Sequence, residues 1–112
     1  MDFNLAAYQA AIQQVFNNYL DFLGTSEDVQ LETIIDNQNH HYLLIEAGWQ
    51  NGRRIYGILL HIDIIDQKLW IQQDATEDGI ADELVALGIP KQQIVLGFKP
   101  IDRRKITEFA VS

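Results

Sequence analysis

His61 and Asp63 stand two residues apart in an apolar run, so on a strand they project from the same face. Gln72 and Asp74 follow on the next extended segment and are placed to lie across from them. An imidazole beside carboxylates is material for a divalent-metal site or a general base. His61, Asp63 and Asp74 therefore define one reading, a metal-dependent enzyme or nuclease subunit. The same residues also make a hydrogen-bonded polar patch at a subunit contact. That reading is preferred, because no second histidine has ligand spacing. His40 and His41 are adjacent, so on a strand they point to opposite faces and cannot jointly hold one ion. They read as ordinary strand-start residues.

Other patterns carry less chemistry. Asp66-Gln67-Lys68 fits the (D/E)-x-K end of a nuclease motif, whose function needs metal, water and lysine to converge on a strand. Here the triplet falls on an expected turn, where its side chains diverge into solvent. Asp74 and Glu77 are better explained as a strand end and a helix cap. Gly79, Gly88 and Gly97 are too dispersed to cradle a phosphate, and no Walker or dinucleotide fingerprint occurs. None of Thr25, Ser26, Thr33 and Thr76 sits in a nucleophile elbow. The residues by themselves name no catalytic group, no metal set and no cofactor, and the chain is not expected to be an enzyme. Trp49 sits beside a hairpin turn. Trp70 reads either as an exposed interface anchor or as a core residue under a loop.

Charge bounds the partners. The 112 residues carry a formal net charge of −8 at pH 7. That argues against a protein that grips DNA by its backbone, which needs clustered Lys and Arg. Residues 1–52 hold seven carboxylates and no Lys or Arg, whereas residues 53–112 hold nine acids against eight bases. Lys99, Arg103, Arg104 and Lys105 form one small basic cluster, read as a solvated loop before a phosphate contact. The acidic half suits a basic protein partner, or solubility alone. An apolar content of 47% is that of a globular chain, and the length suits one domain, residues 1–112. There are no cysteines, no apolar run of membrane-spanning length, and no basic n-region at the start. A cytoplasmic location without membrane contact is expected.

The elements that must position these residues are legible from periodicity. Leu5, Tyr8, Ile12, Val15, Tyr19 and Phe22 recur at helical steps and predict a helix over 3–23, stopped by Gly24. Val29, Leu31, Thr33 and Ile35 alternate as a strand, and 41–50, 53–65 and 68–74 read as three more. Asn51-Gly52 predicts a type I′ hairpin, and Asp66-Gln67 a second two-residue turn. With both turns so short, Leu43, Ile45, Ala47, Tyr56, Ile58, Leu60, Ile62, Ile64, Leu69 and Ile71 share the core face. The opposite, mixed face carries Tyr42, Leu44, Glu46, Leu59, His61, Asp63, Trp70, Gln72 and Asp74. Such a face suits an interface, with a homo-oligomer as one outcome. Tyr42, Glu46, His61, Asp63, Trp70, Gln72 and Asp74 are its candidate contact residues. Thr76 is expected to cap a second helix with Ile80, Leu84 and Leu87 as its stripe, ended by Gly88 and Pro90. Residues 94–98 and 106–111 are short apolar segments, either of which would serve as an edge strand. The expected fold is α+β: an antiparallel meander of four or more strands, with an N-terminal helix and a second helix packed on one face.

Several blocks also carry a family resemblance. They are His41-Tyr42-Leu43-Leu44, Gly48-Trp49, Arg54-Ile55-Tyr56-Gly57, His61-Ile62-Asp63-Ile64, Lys68-Leu69-Trp70-Ile71-Gln72 and Asp74-Ala75-Thr76-Glu77. Gly79-Ile80-Ala81, Glu83-Leu84, Gly88-Ile89-Pro90-Lys91, Ile94-Val95-Leu96-Gly97-Phe98 and Thr107-Glu108-Phe109-Ala110-Val111 complete them. The chain resembles the XisI family, the fdxN-element excision controlling factors of cyanobacteria, over nearly its whole length. Ala75 and Gln67 stand where that pattern has glycine, and Lys99-Pro100 replaces a histidine-containing stretch. The resemblance implies an accessory role in programmed DNA excision during heterocyst development. A separate recombinase does the cutting, and an XisH-like protein is the implied partner. It implies no catalytic residues.

Overall fold

The computed structural model describes residues 4–24 and 26–112. Phe3, where the expected helix begins, and Thr25 lie outside them. The first helix, α1, runs Leu5–Leu23. Asn4 caps it, its side-chain oxygen accepting from Ala7 N at 3.0 Å, and Gly24 (φ 71°) closes it by donating to Leu20 O. Tyr8, Ala11, Ile12, Val15 and Phe16 form its buried stripe. Phe22, expected on that stripe, is instead 84% exposed and lines a groove beside Tyr19 and Thr76.

The strands β1 (Val29–Asp36), β2 (His41–Gln50), β3 (Arg53–Ile65), β4 (Lys68–Asp74) and β5 (Ile94–Leu96) form one sheet in the order β1-β2-β3-β4-β5. The first four pair antiparallel as the expected meander, and β5 adds parallel to β4. Both short turns form as expected. Asn51 and Gly52 have φ of 52° and 77°, and Asp66 and Gln67 have 50° and 65°, the left-handed values a two-residue type I′ hairpin requires.

The face assignment nevertheless needs correction, because each hairpin carries a bulge. From Gln50↔Arg53 to Ile45↔Ile58 the β2–β3 register is regular. Leu44 then pairs Leu60, leaving Leu59 as an extra residue in β3. One extra residue inverts the relation between the strands. Tyr42 and Leu44 therefore join Leu60, Ile62 and Ile64 in the core. Leu43, Ile45, Ala47, Tyr56 and Ile58, expected inside, lie on the opposite face, and Leu59 packs against the core. In β4, Ile71 pairs Ile62 but Gln73 pairs His61, so Gln72 is the extra residue there. Asp74 is thereby carried opposite Leu60, away from Asp63.

The core is the layer between α1 and this inner face. Ile12, Val15 and Phe16 meet Tyr42, Leu44, Leu60, Ile62, Leu69, Ile71 and Ile94 there. Full burial of each such large side chain contributes about 1.5–3 kcal/mol. Helix α2 (Ala81–Ala86) closes one end with Ile80, Leu84 and Ile89; Leu87, expected on its stripe, is exposed. Its entry is organised by Asp74 rather than by a Thr76 cap. The Asp74 carboxylate accepts from Thr76 N and Oγ1 and from Ile80 N, while Thr76 Oγ1 accepts from Gly79 N. Of the two short apolar segments, 94–98 supplies β5. The other, 106–111, makes only the single bridge Val95↔Ala110 beyond the short helix α3 (Ile101–Arg104).

Gly48 marks the tightest backbone contact in the β1–β2 hairpin. A Cβ there would stand 2.1 Å from Asp28 O and 2.6 Å from Val29 Cα. Neither atom belongs to a side chain that can swing aside. Gly48→Ala is expected to cost roughly 1–3 kcal/mol or more in urea unfolding. Gly57→Ala, where no atom lies within 4 Å of the added carbon, is the control and should cost far less.

Candidate functional site

The β3 bulge brings His41 to the pair His61 and Asp63 that the sequence already groups. His41 and Asp63 are direct cross-strand partners on β2 and β3, and His61 is the next residue along that face of β3. His41 Nδ1 and His61 Nε2 each lie 2.7 Å from the same oxygen, Asp63 Oδ1. Gln72 Nε2 donates to Oδ2 at 3.3 Å. Gln72 thus supplies a donor to a carboxylate oxygen that neither imidazole reaches. Asp63 is 7% exposed, and no other charged side chain among the described residues is as buried. A carboxylate removed from water needs this kind of pairing to stay ionised.

His41 is the site residue that sequence reading missed. Adjacency to His40 does rule out one ion shared between those two. The ligand-like partner, however, arrives from across the sheet, and only the bulged register aligns it. His40 itself turns the chain, with φ 60° and its carbonyl accepting from Ile64 N. Asp36 holds the preceding loop by accepting from Gln38 N, Asn39 N and Asn39 Nδ2. Those bonds keep the Asp36 carboxyl below its usual range.

The other candidates divide between the two faces. His61, Asp63, Trp70 and Gln72 lie together on the outer face, as expected. Tyr42, Glu46 and Asp74 do not. Tyr42 is buried beneath α1, where Gln9 Nε2 donates to its hydroxyl at 3.0 Å. Glu46 and Asp74 lie on the α1 side. Burial first, and then the charges of Glu46 and Asp74, push the Tyr19 hydroxyl above its ordinary value. The set His61, Asp63 and Asp74 is therefore not assembled. Asp66 and Gln67 form a turn, as expected, and Lys68 opens β4, so the nuclease-like triplet does not lie along one strand.

In the basic cluster, Arg104 is committed to its own fold. It donates to Lys99 O at 2.8 Å and Val111 O at 3.2 Å, and its guanidinium lies 5.2 Å from the Trp70 ring centroid. Trp70 is thereby half covered. Lys99 leans over Phe98, while Arg103 and Lys105 are exposed.

Beyond the histidines the outer face is open and mostly apolar, with Gln30 and Glu32 on β1 and Arg54 on β3 as its polar members. Ile34, Trp49, Tyr56 and Ile58 are exposed on it, Tyr56 at 71%, and Leu43 and Ile45 are half-buried between them. Arg54 lies 5.5 Å from the Trp49 ring centroid and 5.3 Å from that of Tyr56, holding both aromatics at the rim. A separate groove of about 450 Å³, lined by Tyr19, Phe22, Thr76, Ile80 and Glu83, lies on the helical side and does not reach the histidines. Among the described residues no helix is long and apolar enough to cross a membrane.

One helix-covered face, one open face and a terminal parallel strand define a small α+β protein whose single core lies between α1 and the sheet. The family model described as XisI protein matches residues 1–111, and the chain belongs to that family. It is similar to the crystal structure of a XisI-like protein from Anabaena variabilis at 36% identity and TM-score 0.90, covering 97% of this chain and all of that one. It is also similar to the fdxN element excision controlling factor XisI from Anabaena variabilis, at 37% identity and TM-score 0.84, covering 96% of this chain and 98% of that one. No curated protein matches it.

The electrostatics of the cluster are testable. The Asp63 hydrogen bond and charge, with Asp36 adding less, hold the His41 imidazole above the ordinary histidine value of 6.5. Folding therefore favours protonated His41. Its contribution to stability is complete below the unfolded value and fades as pH rises through the folded one. In NMR titration of the metal-free protein, His41 should titrate above 6.5 and return toward it in Asp63→Asn. The thermal midpoint should fall between about pH 6 and about pH 8 in the parent, and by less in the variant. An unshifted His41 would contradict the hydrogen bond.

Proposed function

We propose that this chain is an accessory controlling factor for excision of a DNA element. It acts through protein contacts with an XisH-like partner and leaves strand cutting to a separate enzyme. The name and close similarity of the Anabaena variabilis excision controlling factor support the process. The observation that supports the mode of action is the open apolar sheet face bearing Ile34, Trp49, Tyr56 and Ile58. Aromatic anchors surrounded by half-buried aliphatics are the usual core of a protein interface.

Charge favours a protein partner over DNA. The chain is strongly acidic, and Arg104, at the centre of the late basic cluster, is already engaged by backbone carbonyls. His61, Asp63, Trp70 and Gln72 border the proposed contact surface at its β4 end. Tyr42, Glu46 and Asp74 are removed from it, since they face α1 and the α2 entry. The expected site of action is the cytoplasm.

Co-expression with an XisH-like protein, followed by capture through a tag on either chain, tests the proposal. A stoichiometric complex is expected. Tyr56→Asp and Ile58→Asp, both at exposed positions, should each weaken it by about tenfold or more. Glu77→Lys, on the far side of the molecule, should leave it intact. A complex insensitive to both face variants would overturn the surface assignment. Failure of the parent chain to form a complex would overturn the partner.

A further inference from the structure

The two imidazoles of the outer-face cluster do not spread over the Asp63 carboxylate, one to each oxygen. Both converge on Oδ1, and Gln72 takes Oδ2. Nitrogen and oxygen atoms of His41, His61 and Asp63 all lie within 4.8 Å of one another. Such convergence on one point is the arrangement an ion would also select. Tetrahedral bonds of about 2.0–2.1 Å separate their ligand atoms by about 3.3 Å. The 2.7 Å nitrogen–oxygen contacts would open by a fraction of an ångström. The two ring nitrogens, within 4.8 Å of each other, would come to that spacing by rotation of His41. His41 is half exposed at its side chain and free to make that adjustment, while Asp63 is fixed by the sheet.

We propose that His41 Nδ1, His61 Nε2 and an oxygen of Asp63 bind a zinc-class divalent transition-metal ion. Two imidazoles and one carboxylate suit zinc, nickel or copper, whereas magnesium and calcium prefer oxygen ligands throughout. In the metal-free cluster each facing nitrogen carries a proton toward the carboxylate. On binding, the ion displaces that proton: a charged imidazole releases it to solvent, and a neutral one moves its single proton to the outer nitrogen, His41 Nε2 or His61 Nδ1. Gln72 continues to hold the second carboxylate oxygen and so orients the ligand from behind. Three protein ligands leave one tetrahedral position, open on the side of exposed His41, for water or a group from another molecule. The site is independent of the partner proposed above, so failure of the pull-down does not bear on it.

The test is titration of the metal-stripped 112-residue chain with zinc chloride by calorimetry, with the cobalt(II) visible spectrum as a readout of coordination. Saturable binding of one ion per chain and a raised thermal midpoint are expected, with no response to magnesium. His41→Gln and His61→Gln should each weaken zinc by more than about tenfold and remove the tetrahedral cobalt bands. His40→Asn, which suits the left-handed backbone at that position (φ 60°), should bind as the parent does. If His61→Gln fails to fold, the variant at exposed His41 carries the test. Absence of saturable zinc binding, or parent-like binding by His41→Gln, would overturn the proposal.

Discussion

Leu59 is one residue more than β2 can pair, and its position in β3 governs how the molecule is laid out. On the turn side of it, Ile45, Ala47, Tyr56 and Ile58 face outward. On the other side, Tyr42 and Leu44 face inward with Leu60 and Ile62 and receive α1. Without the bulge, the same strands would offer Leu43 to the core and Tyr42 to solvent. The bulge also brings His41 against Asp63. The second bulge, at Gln72, continues the effect into β4. It carries Asp74 to the α2 entry, where its carboxylate accepts from Thr76 N and Ile80 N, while Gln72 stays on the Asp63 side.

Asp63 connects that backbone constraint to chemistry. A buried carboxylate in a sheet is costly unless its oxygens find donors, and here two imidazoles and an amide supply them. The same arrangement raises the His41 proton affinity and makes the three side chains converge. The polar cluster lies at one end of an otherwise apolar open face, so a molecule docking on Tyr56 and Ile58 approaches the histidines from the side. Recognition and the ligand cluster therefore share a surface, while α1 and the core lie behind it.

Much of this was legible in the residues. The helical step of Leu5, Tyr8, Ile12 and Val15, the alternation from Val29 to Ile35, and the Asn51-Gly52 turn reflect local periodicity and backbone preference. All three appear where expected. So does the polar grouping of His61, Asp63, Trp70 and Gln72. The inner and outer faces were not legible, because a bulge leaves no compositional mark when Leu59 and Gln72 resemble their neighbours. That single ambiguity accounts for the reversal of Tyr42 and Leu44, the loss of Asp74 from the site and the absence of His41 from it. Phe22 and Leu87 went astray for another reason. Periodicity assigns a side to a helix but not how much of that side another element covers.

The β2–β3 register itself is the measurement that tests this account most directly. Cross-strand Hα contacts in the NMR spectrum should pair Leu43 with His61 and His41 with Asp63, as non-hydrogen-bonded partners across an antiparallel ladder. Contacts of Leu43 with Leu60 and of His41 with Ile62 would mean that Leu59 is paired. The open face, the buried Tyr42 and the histidine cluster would then all be misplaced together.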